Sequence, residues 1–506
     1  MFTERLIGGV SSGGGRTGLA FVRNGRVETE ISCGQLHEDS NRAARLFLDR
    51  GVTKGDRVVL CMEKSVGFVV AYLGVLKTGA VAVPLNPGFR EAELAYLVGD
   101  AQPRLAVAGP DQERTLGRAA PSLPLLVIPT ETPYQDCGLF RGYSPVPPAL
   151  QTAPQDPCLI IYTSGTTGKP KGAVLTQKNL AHDAGNIIAA WEMSSSDVLC
   201  HALPLFHIHG LCFALHTALI CGARVLITDR FSPGEVLDLL ALKDAPYRCS
   251  IFMAVPTMYV GMLDLLGKRR PDFGHVRLWT SGSAALSPRD FVRIRETFGK
   301  EPVEREGMSE TGMNFSNPLR GLRKPGSVGL PLPGLRARIV DPDTGADVPS
   351  GTVGEIVLRG PGITHGYWHK PEETEAAFRD GWFRTGDLGR VDGDGYFYLT
   401  DRLKHIIISG GENISPKEVE TVMNTMDGVL ESSVVGVADA KWGEKVVAGV
   451  VLRSGSNLTP QGILDFCRKH LHPWKCPKEV VLLEELPRNS MGKVLKERVR
   501  ERMGKS

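Results

Sequence analysis

Ile160-Ile161-Tyr162-Thr163-Ser164-Gly165-Thr166-Thr167-Gly168-Lys169-Pro170-Lys171-Gly172 is an apolar strand that empties into a loop, and this stretch decides how the chain is read. Its last ten residues hold three glycines, four hydroxyl side chains and two lysines. Glycines let backbone N–H groups converge, hydroxyls donate to phosphate oxygens and lysines supply positive charge, so the composition is that of an anion cradle. It is not a Walker loop, because only two residues separate Gly165 from Gly168 and Lys169 is followed by Pro170. Pro170 also disfavours the helix that a Walker loop feeds. A plain surface turn seldom needs hydroxyls and lysines together directly behind an apolar strand, which leaves a phosphate-binding loop as the expectation. Gly13-Gly14-Gly15-Arg16-Thr17-Gly18 satisfies a dinucleotide pattern, yet a hairpin follows it where a helix is required.

Around the loop, strands and helices alternate. Leu19 to Ile31 reads as a hairpin turning at Asn24-Gly25, a pair suited to two successive positive φ angles. Ser32 and Gln35 have the spacing of a capping box for a helix that ends near Gly51. A strand at Arg57–Cys61, a helix over Ser65–Thr78 and a strand at Ala80–Leu85 make a βαβ unit with a parallel sheet. The alternation recurs at Arg104–Ala108, Leu199–Pro204, Arg224–Thr228 and Ser250–Val255. After about residue 320 short strands with Pro/Gly punctuation take over, at Arg336–Val340, Gly354–Leu358 and Gly395–Leu399. From Asp401 a smaller α+β unit is expected. Its first helix opens with Ser415-Pro416-Lys417-Glu418: a hydroxyl cap, proline at the first helical position and Glu three residues after the cap. Strands near Leu430–Val437 and Val446–Leu452 and a helix over Pro460–His470 complete it.

At 506 residues the chain exceeds what one hydrophobic core serves, and roughly 150 residues per domain suggests about three compact units. Apolar residues at 42% and charged residues at 23% are ordinary for a soluble globular protein. A net charge of +3 gives no reason to invoke nucleic acid. The ten cysteines form no C-x-x-C pair, so neither a zinc ribbon nor a disulfide framework is indicated, and free thiols fit a reducing cytoplasm. The N-terminus carries an acid early and lacks an apolar core, so no signal peptide is expected. The most apolar run, Leu211 to Cys221, is interrupted by His216 and Thr217 and is far shorter than the ~20 residues of a spanning helix.

Tyr162 through Gly172 resembles the signature of the adenylate-forming superfamily, which contains acyl-CoA synthetases, peptide-synthetase adenylation domains and luciferases. The similarity covers essentially the whole chain, and further motifs follow in the family's order. Gly307-Met308-Ser309-Glu310-Thr311 resembles the segment whose hydroxyl meets the α-phosphate and whose Glu holds Mg²⁺. Phe383-Arg384-Thr385-Gly386-Asp387 resembles the ribose-binding segment. Asp401-Arg402-Leu403-Lys404 resembles the interdomain hinge, with Arg402 near the ribose and Lys404 as pivot. Ser409-Gly410-Gly411-Glu412-Asn413 resembles the strip lining the pantetheine tunnel, and Pro487 to Lys493 the loop carrying the lysine essential for adenylation.

The resemblance implies two α/β subdomains and a β-rich one within residues 1–400, and a small mobile α+β domain over residues 401–506. It implies ATP, Mg²⁺ and CoA as cofactor and co-substrates, with no nucleic acid and no membrane span. Thr163 to Gly168, Lys169, Lys171, Ala284, Ser309, Asp387 and Arg402 would bind the nucleotide, and Thr167 and Glu310 the metal. Lys493, Glu310 and His207 would be catalytic, and Gly410, Gly411 and Glu412 would line the CoA tunnel. A carboxylate attacking the α-phosphate of ATP brings anions together, so cations and donors are needed where charge accumulates. The acyl-adenylate then passes its acyl group to the CoA thiol, with rotation about Lys404 between the two halves. In one place the sequence departs from the family: an aromatic residue normally precedes Gly307, and here Glu306 stands there. Either Glu306 points away and another apolar group covers the adenine, or nucleotide affinity is reduced.

Two features point to a small dicarboxylate, malonate or methylmalonate. Pro204-Leu205-Phe206-His207-Ile208-His209-Gly210 resembles a motif of malonyl-CoA synthetases, and Arg305 stands two residues before Gly307 as in those enzymes. A guanidinium there would grip the distal carboxylate bidentately. Ser281-Gly282-Ser283-Ala284-Ala285 also resembles that subgroup, and either Ser281 or Ser283 would add a hydroxyl; His209 and Met308 complete the expected acid site. The competing readings are an Arg305 paired locally with Glu304 and Glu306, and a His-x-His metal pair lacking a third ligand. Alternative functions are a medium-chain or aryl acid CoA ligase, or a nucleotide-binding protein with impaired catalysis. Thirteen residues follow Lys493 (506 − 493), so a fused carrier domain is not expected.

Overall fold

The computed structural model describes residues 1–504 except 131–132, 164–168, 440 and 490–491, and at 136–137 the backbone only. The chain forms two compact units, Met1–Arg336 with Leu358–Phe383, and Ala337–Val357 with Arg384–Ser506. The architecture is mixed α/β, with a large N-terminal domain and a smaller C-terminal one.

The first unit is built on two sheets. One has six strands in the order Leu125–Val127, Leu105–Ala108, Arg57–Cys61, Val81–Pro84, Pro157–Thr163 and Lys171–Thr176. All but the last pairing run parallel. Short runs of Val, Ala and Leu are buried on both faces here, the pattern expected when helices cover both sides of a parallel sheet. The helix Val66–Lys77 is wholly buried and apolar on every face up to its last residue, Lys77, and is opened by Ser65, whose hydroxyl accepts from the Phe68 N–H. The other sheet has nine strands. Its centre is the parallel set Leu278–Ser281, Ile251–Ala254, Val198–His201 and Arg224–Thr228, and at one end lies the antiparallel hairpin Val303–Met308 and Gly312–Ser316. The sequence-read hairpin is present as Thr17–Arg23 and Arg26–Ser32, with Asn24 and Gly25 at φ 49° and 72°. Ser32 caps the helix Cys33–Asp49 by accepting from the Gln35 N–H. A helix at Phe2–Ser11, not expected from the sequence, precedes them.

In the second unit, Val429–Asp439 and Gly443–Leu452 form a long antiparallel pair. Glu479–Leu483 lies parallel to the latter strand, and the hairpin Ile407–Ser409 and Glu412–Ile414 adjoins it at Ser409. Helices Pro416–Met423 and Pro460–His470 bring Val419, Met423, Ile463 and Cys467 onto Val446, Ala448 and Val450 as its core. The expected cap is made: the Ser415 hydroxyl accepts from the Glu418 N–H. A further antiparallel pair, Trp382–Val391 with Phe397–Arg402, sets Asp387 opposite Arg402. No helix is long and apolar enough to cross a membrane among the described residues.

Candidate functional site

Two antiparallel strands flank the phosphate-loop candidate. Thr163 pairs with Lys171 where the strands Pro157–Thr163 and Lys171–Thr176 end and begin. Ser164, Gly165, Thr166, Thr167 and Gly168 lie outside the described residues. The flanking lysines rest on aromatic faces, Lys169 Nζ 5.7 Å from the Tyr96 ring centroid and Lys171 Nζ 5.1 Å from that of Tyr367. Glu310 sits in the turn of the 303–316 hairpin, 147 residues along the chain, and its Oε1 accepts from Thr163 Oγ1 at 3.3 Å and Tyr367 OH at 3.2 Å. These contacts join the base of the loop to the carboxylate and bring Ser309 to the same turn. Among the described residues no three His, Cys, Asp or Glu side chains cluster as a metal cage. One carboxylate among hydroxyls beside a phosphate loop suits Mg²⁺, which takes oxygen ligands and shares its shell with nucleotide phosphates and water. Glu310 fits that part.

The second constellation surrounds Arg305. Its guanidinium is buried at 2% exposure, and none of its three nitrogens has a hydrogen-bond partner among the described residues. Strand alternation explains why its neighbours do not pair with it. The Glu304 carboxyl accepts from the Gly326 N–H and is pushed up to about 8 by burial, and Glu306 Oε2 accepts from Asn314 Nδ2 at 3.0 Å. The guanidinium lies over the Phe213 ring at 5.0 Å and fills the space beside Gly282, where a Cβ would stand 2.6 Å from its Cζ. Burial lowers its pKa to about 10 against the opposing pull of Glu306, Asp183 and Tyr259, and it stays cationic at neutral pH.

The segment that carries Phe213 is a π-helix, His209–His216, a wider coil that recurs at functional sites. His209 at its start is buried, its Nδ1 3.2 Å from Ser283 Oγ and its Nε2 without a partner among the described residues. Burial, Arg305 and two neighbouring histidines hold it neutral. His207 is also held down, to about 4, by burial. Ser281 and Ser283, indistinguishable by sequence, separate here: the Ser281 hydroxyl is buried without a partner among the described residues, while Ser283 is exposed and reaches His209. Met308 is half-buried at the strand's end, and Ala284 is exposed beside Ser283.

Asp183, on helix Gln177–Ala190, was not singled out by sequence. It is buried, accepts from the Met313 N–H at 2.8 Å and braces the hairpin that carries Arg305 and Glu310. Burial raises its carboxyl to about 7, against the Met313 N–H and Arg305. No local pattern marks it. Gly282, between two serines, offered the one usable signal: a glycine where another group approaches closely.

In the second unit, Arg402 Nε donates to Asp387 Oδ1 at 2.8 Å. Burial raises the Asp387 carboxyl, opposed by Arg402, Lys493 and His405. Lys493 as a residue keeps solvent exposure, yet protein packed around its ammonium, followed by the Arg402 charge, lowers its pKa to about 8. Lys404 is also depressed, by burial and then Arg402. Arg402, Lys493 and Lys404 thus all act on Asp387, with Glu497 also drawing Lys404, a balance that stays positive and suits an anionic ligand. Gly410 and Gly411, at φ 60° and 85°, make the tight turn between the strands of the 407–414 hairpin, and the exposed Glu412 follows. Asp401 anchors the approach to Lys404, its Oδ2 accepting from Ser415 Oγ and the Lys417 N–H, each at 2.9 Å.

Comparison with known proteins matches this arrangement. Residues 15–368 fit the model of the AMP-binding enzyme family, and residues 418–493 that of the AMP-binding enzyme C-terminal domain. The structure superposes on ATP-bound MatB from Rhodopseudomonas palustris with a TM-score of 0.91 at 36% identity, covering 99% of both chains. The chain is 36% identical to the mouse mitochondrial malonate–CoA ligase ACSF3 over 481 residues (88% of this chain, 81% of the relative). It is also 36% identical to a feruloyl-CoA synthase of Amycolatopsis over 485 residues (96% of both). CoA ligases of this family use ATP, Mg²⁺ and CoA. The chain belongs to the AMP-binding enzyme family and is an AMP-forming acyl-CoA synthetase, an ATP-dependent acid–CoA ligase.

Proposed function

We propose that the acid is a small dicarboxylate, malonate or methylmalonate, held at its distal end by Arg305. The observation that carries this reading is a fully buried guanidinium with no protein hydrogen-bond partner among the described residues. Leaving such a group unpaired costs several kcal/mol, and a carboxylate that accepts two of its N–H groups removes the penalty. An alkyl or aryl tail placed there would leave the cation dry and unpaired, which disfavours fatty and aryl acids despite the similarity to a feruloyl-CoA synthase.

On this reading the proximal carboxylate attacks the α-phosphorus of ATP and the bond to pyrophosphate breaks. Lys493 lies against both anions, and the 163–172 loop holds the departing phosphates. Glu310 would hold Mg²⁺, which would supply positive charge at those phosphates. The CoA sulfur, losing its proton, then attacks the acyl carbon and AMP leaves. Asp387 and Arg402 hold the ribose, His207 stands at the reacting carboxylate, and Gly410 to Glu412 line the path of the pantetheine. Residues 401–506 turn about Lys404 between the two half-reactions. The free thiols of the nine described cysteines support a cytoplasmic, reducing setting.

The test is pyrophosphate release with ATP and Mg²⁺ across malonate, methylmalonate, acetate, octanoate and benzoate, for the native protein and Arg305→Ala. Malonate leads, and Arg305→Ala loses malonate far more than acetate. Octanoate or benzoate in the lead makes Arg305 structural and refutes the reading.

A further inference from the structure

We infer that Ser283 is a positioning residue that fixes the tautomer of His209, so that the imidazole presents Nε2–H as a second donor to the distal anion of the acid. The inference rests on the acid-pocket reading above. Arg305, Phe213, Gly282, Ser283 and His209 occupy one small volume: the guanidinium lies over Phe213 and against Gly282, Ser283 follows Gly282, and its hydroxyl is 3.2 Å from His209 Nδ1. His209 is 1% exposed and its Nε2 lacks a partner among the described residues. Ser283 stands at φ 67°, in the left-handed region that residues other than glycine seldom adopt, so the fold holds this hydroxyl in an unusual pose.

A neutral imidazole carries one proton, and its placement decides what the pocket offers. With the proton on Nδ1, Ser283 accepts it and the buried Nε2 has only a lone pair to offer an anion drawn in by Arg305. Lone pair then faces carboxylate, which is repulsive. With the proton on Nε2, the Ser283 hydroxyl donates to Nδ1 and His209 joins Arg305 as a donor. The burial and nearby cation that keep His209 uncharged also make a neutral donor the one it can be. The tripeptide Ser281-Gly282-Ser283 thereby supplies a buried hydroxyl, the space for the guanidinium and the tautomer lock.

The test combines a spectroscopic and a kinetic readout on the full chain. Imidazole ¹⁵N shifts of ¹⁵N-histidine protein, with the His209 signals identified by their loss in His209→Gln, report the tautomer at neutral pH. We expect Nε2–H in the native protein and a mixed population in Ser283→Ala. In pyrophosphate release, Ser283→Ala raises the malonate KM roughly tenfold or more, well beyond any change in the ATP KM, the span of a lost hydrogen bond to a charged group. Ser283→Asn recovers part of the loss, because asparagine tolerates the left-handed backbone and restores a donor. An Nδ1–H tautomer in the native protein overturns the inference, as does a Ser283→Ala that moves the malonate and ATP KM values equally while Arg305→Ala still selects against malonate. An Arg305→Ala that does not distinguish malonate from acetate overturns the acid-pocket reading itself.

Discussion

Replacing Gly282 by alanine adds one methyl group and tests the acid pocket without touching a charged side chain. Gly282 is not among the glycines at positive φ, so alanine meets no backbone penalty. Its Cβ would stand 2.6 Å from Arg305 Cζ, 2.7 Å from Nε and 2.8 Å from Nη1. Ordinary contact begins at 3.4 Å, so the guanidinium must retreat by 0.8 Å (3.4 − 2.6). Overpacking of this kind costs about 1–3 kcal/mol, and a displacement near 1 Å of a binding group lowers turnover by up to about 100-fold. The expected result is a fall in kcat/KM for malonate of roughly 10- to 100-fold, with a smaller loss for acetate, which has no distal carboxylate. Continuous pyrophosphate release reads both, and circular dichroism checks that the fold survives. Equal losses for the two acids, or none, would refute the claim that the guanidinium beside Gly282 selects the acid.

Lys493→Ala is expected to abolish adenylation while sparing transfer from preformed malonyl-AMP to CoA; loss of both half-reactions in single-turnover assays goes against it. Because burial and Arg402 depress the Lys493 ammonium to about 8, its charge is lost as pH rises through that value. Adenylation should therefore decline above about pH 8, and Lys493→Arg should move that alkaline limb upward in a pH–rate profile. Glu310→Gln keeps the size but not the charge of the group bonded by Thr163 and Tyr367, and should raise the Mg²⁺ concentration needed for half-maximal rate by about tenfold or more. Asp401 is buried, which would raise its carboxyl, but His405 at 3.7 Å, the Lys417 N–H and the Lys496 charge together lower it to about 2. Its folded value thus lies below its unfolded value, so its contribution of about 2 kcal/mol is present at neutral pH and lost as pH falls from about 4 to about 2. Asp401→Asn should show a lower urea midpoint than the native protein at neutral pH, with the gap narrowing across that window.

Much of this molecule is legible in its sequence, for reasons that are local. Asn24-Gly25 needs two positive φ angles, Ser32 and Ser415 cap the helices that follow them, and the parallel strands of the six-stranded sheet are written largely in Val, Ala and Leu. The 163–172 loop is likewise a contiguous composition. The proposed acid pocket is legible only in part, because its parts come from distant segments. Arg305 carries its own signal, but that it lacks a hydrogen-bond partner among the described residues depends on Glu304 and Glu306 being directed to Gly326 and Asn314. Asp183 meets Met313 across 130 residues and looks like any polar helix residue until the hairpin closes on it. The choice between Ser281 and Ser283 turns on a backbone angle of 67° that serine does not advertise. The π-helix at His209–His216 adds a residue to a turn, which no apolar spacing announces.

The unpaired guanidinium also has a thermodynamic consequence for the protein as a whole. A buried cation whose donors find no acceptor among the described residues is costly in the native state, tolerated because the rest of the fold outweighs it. Whatever anion completes those bonds binds the folded chain and not the unfolded one, so it acts as a stabiliser in proportion to its affinity. Malonate should then raise the melting temperature in the absence of any turnover, and acetate should do so far less. On the reading proposed above, Arg305 would make the enzyme's own durability depend on the supply of its substrate.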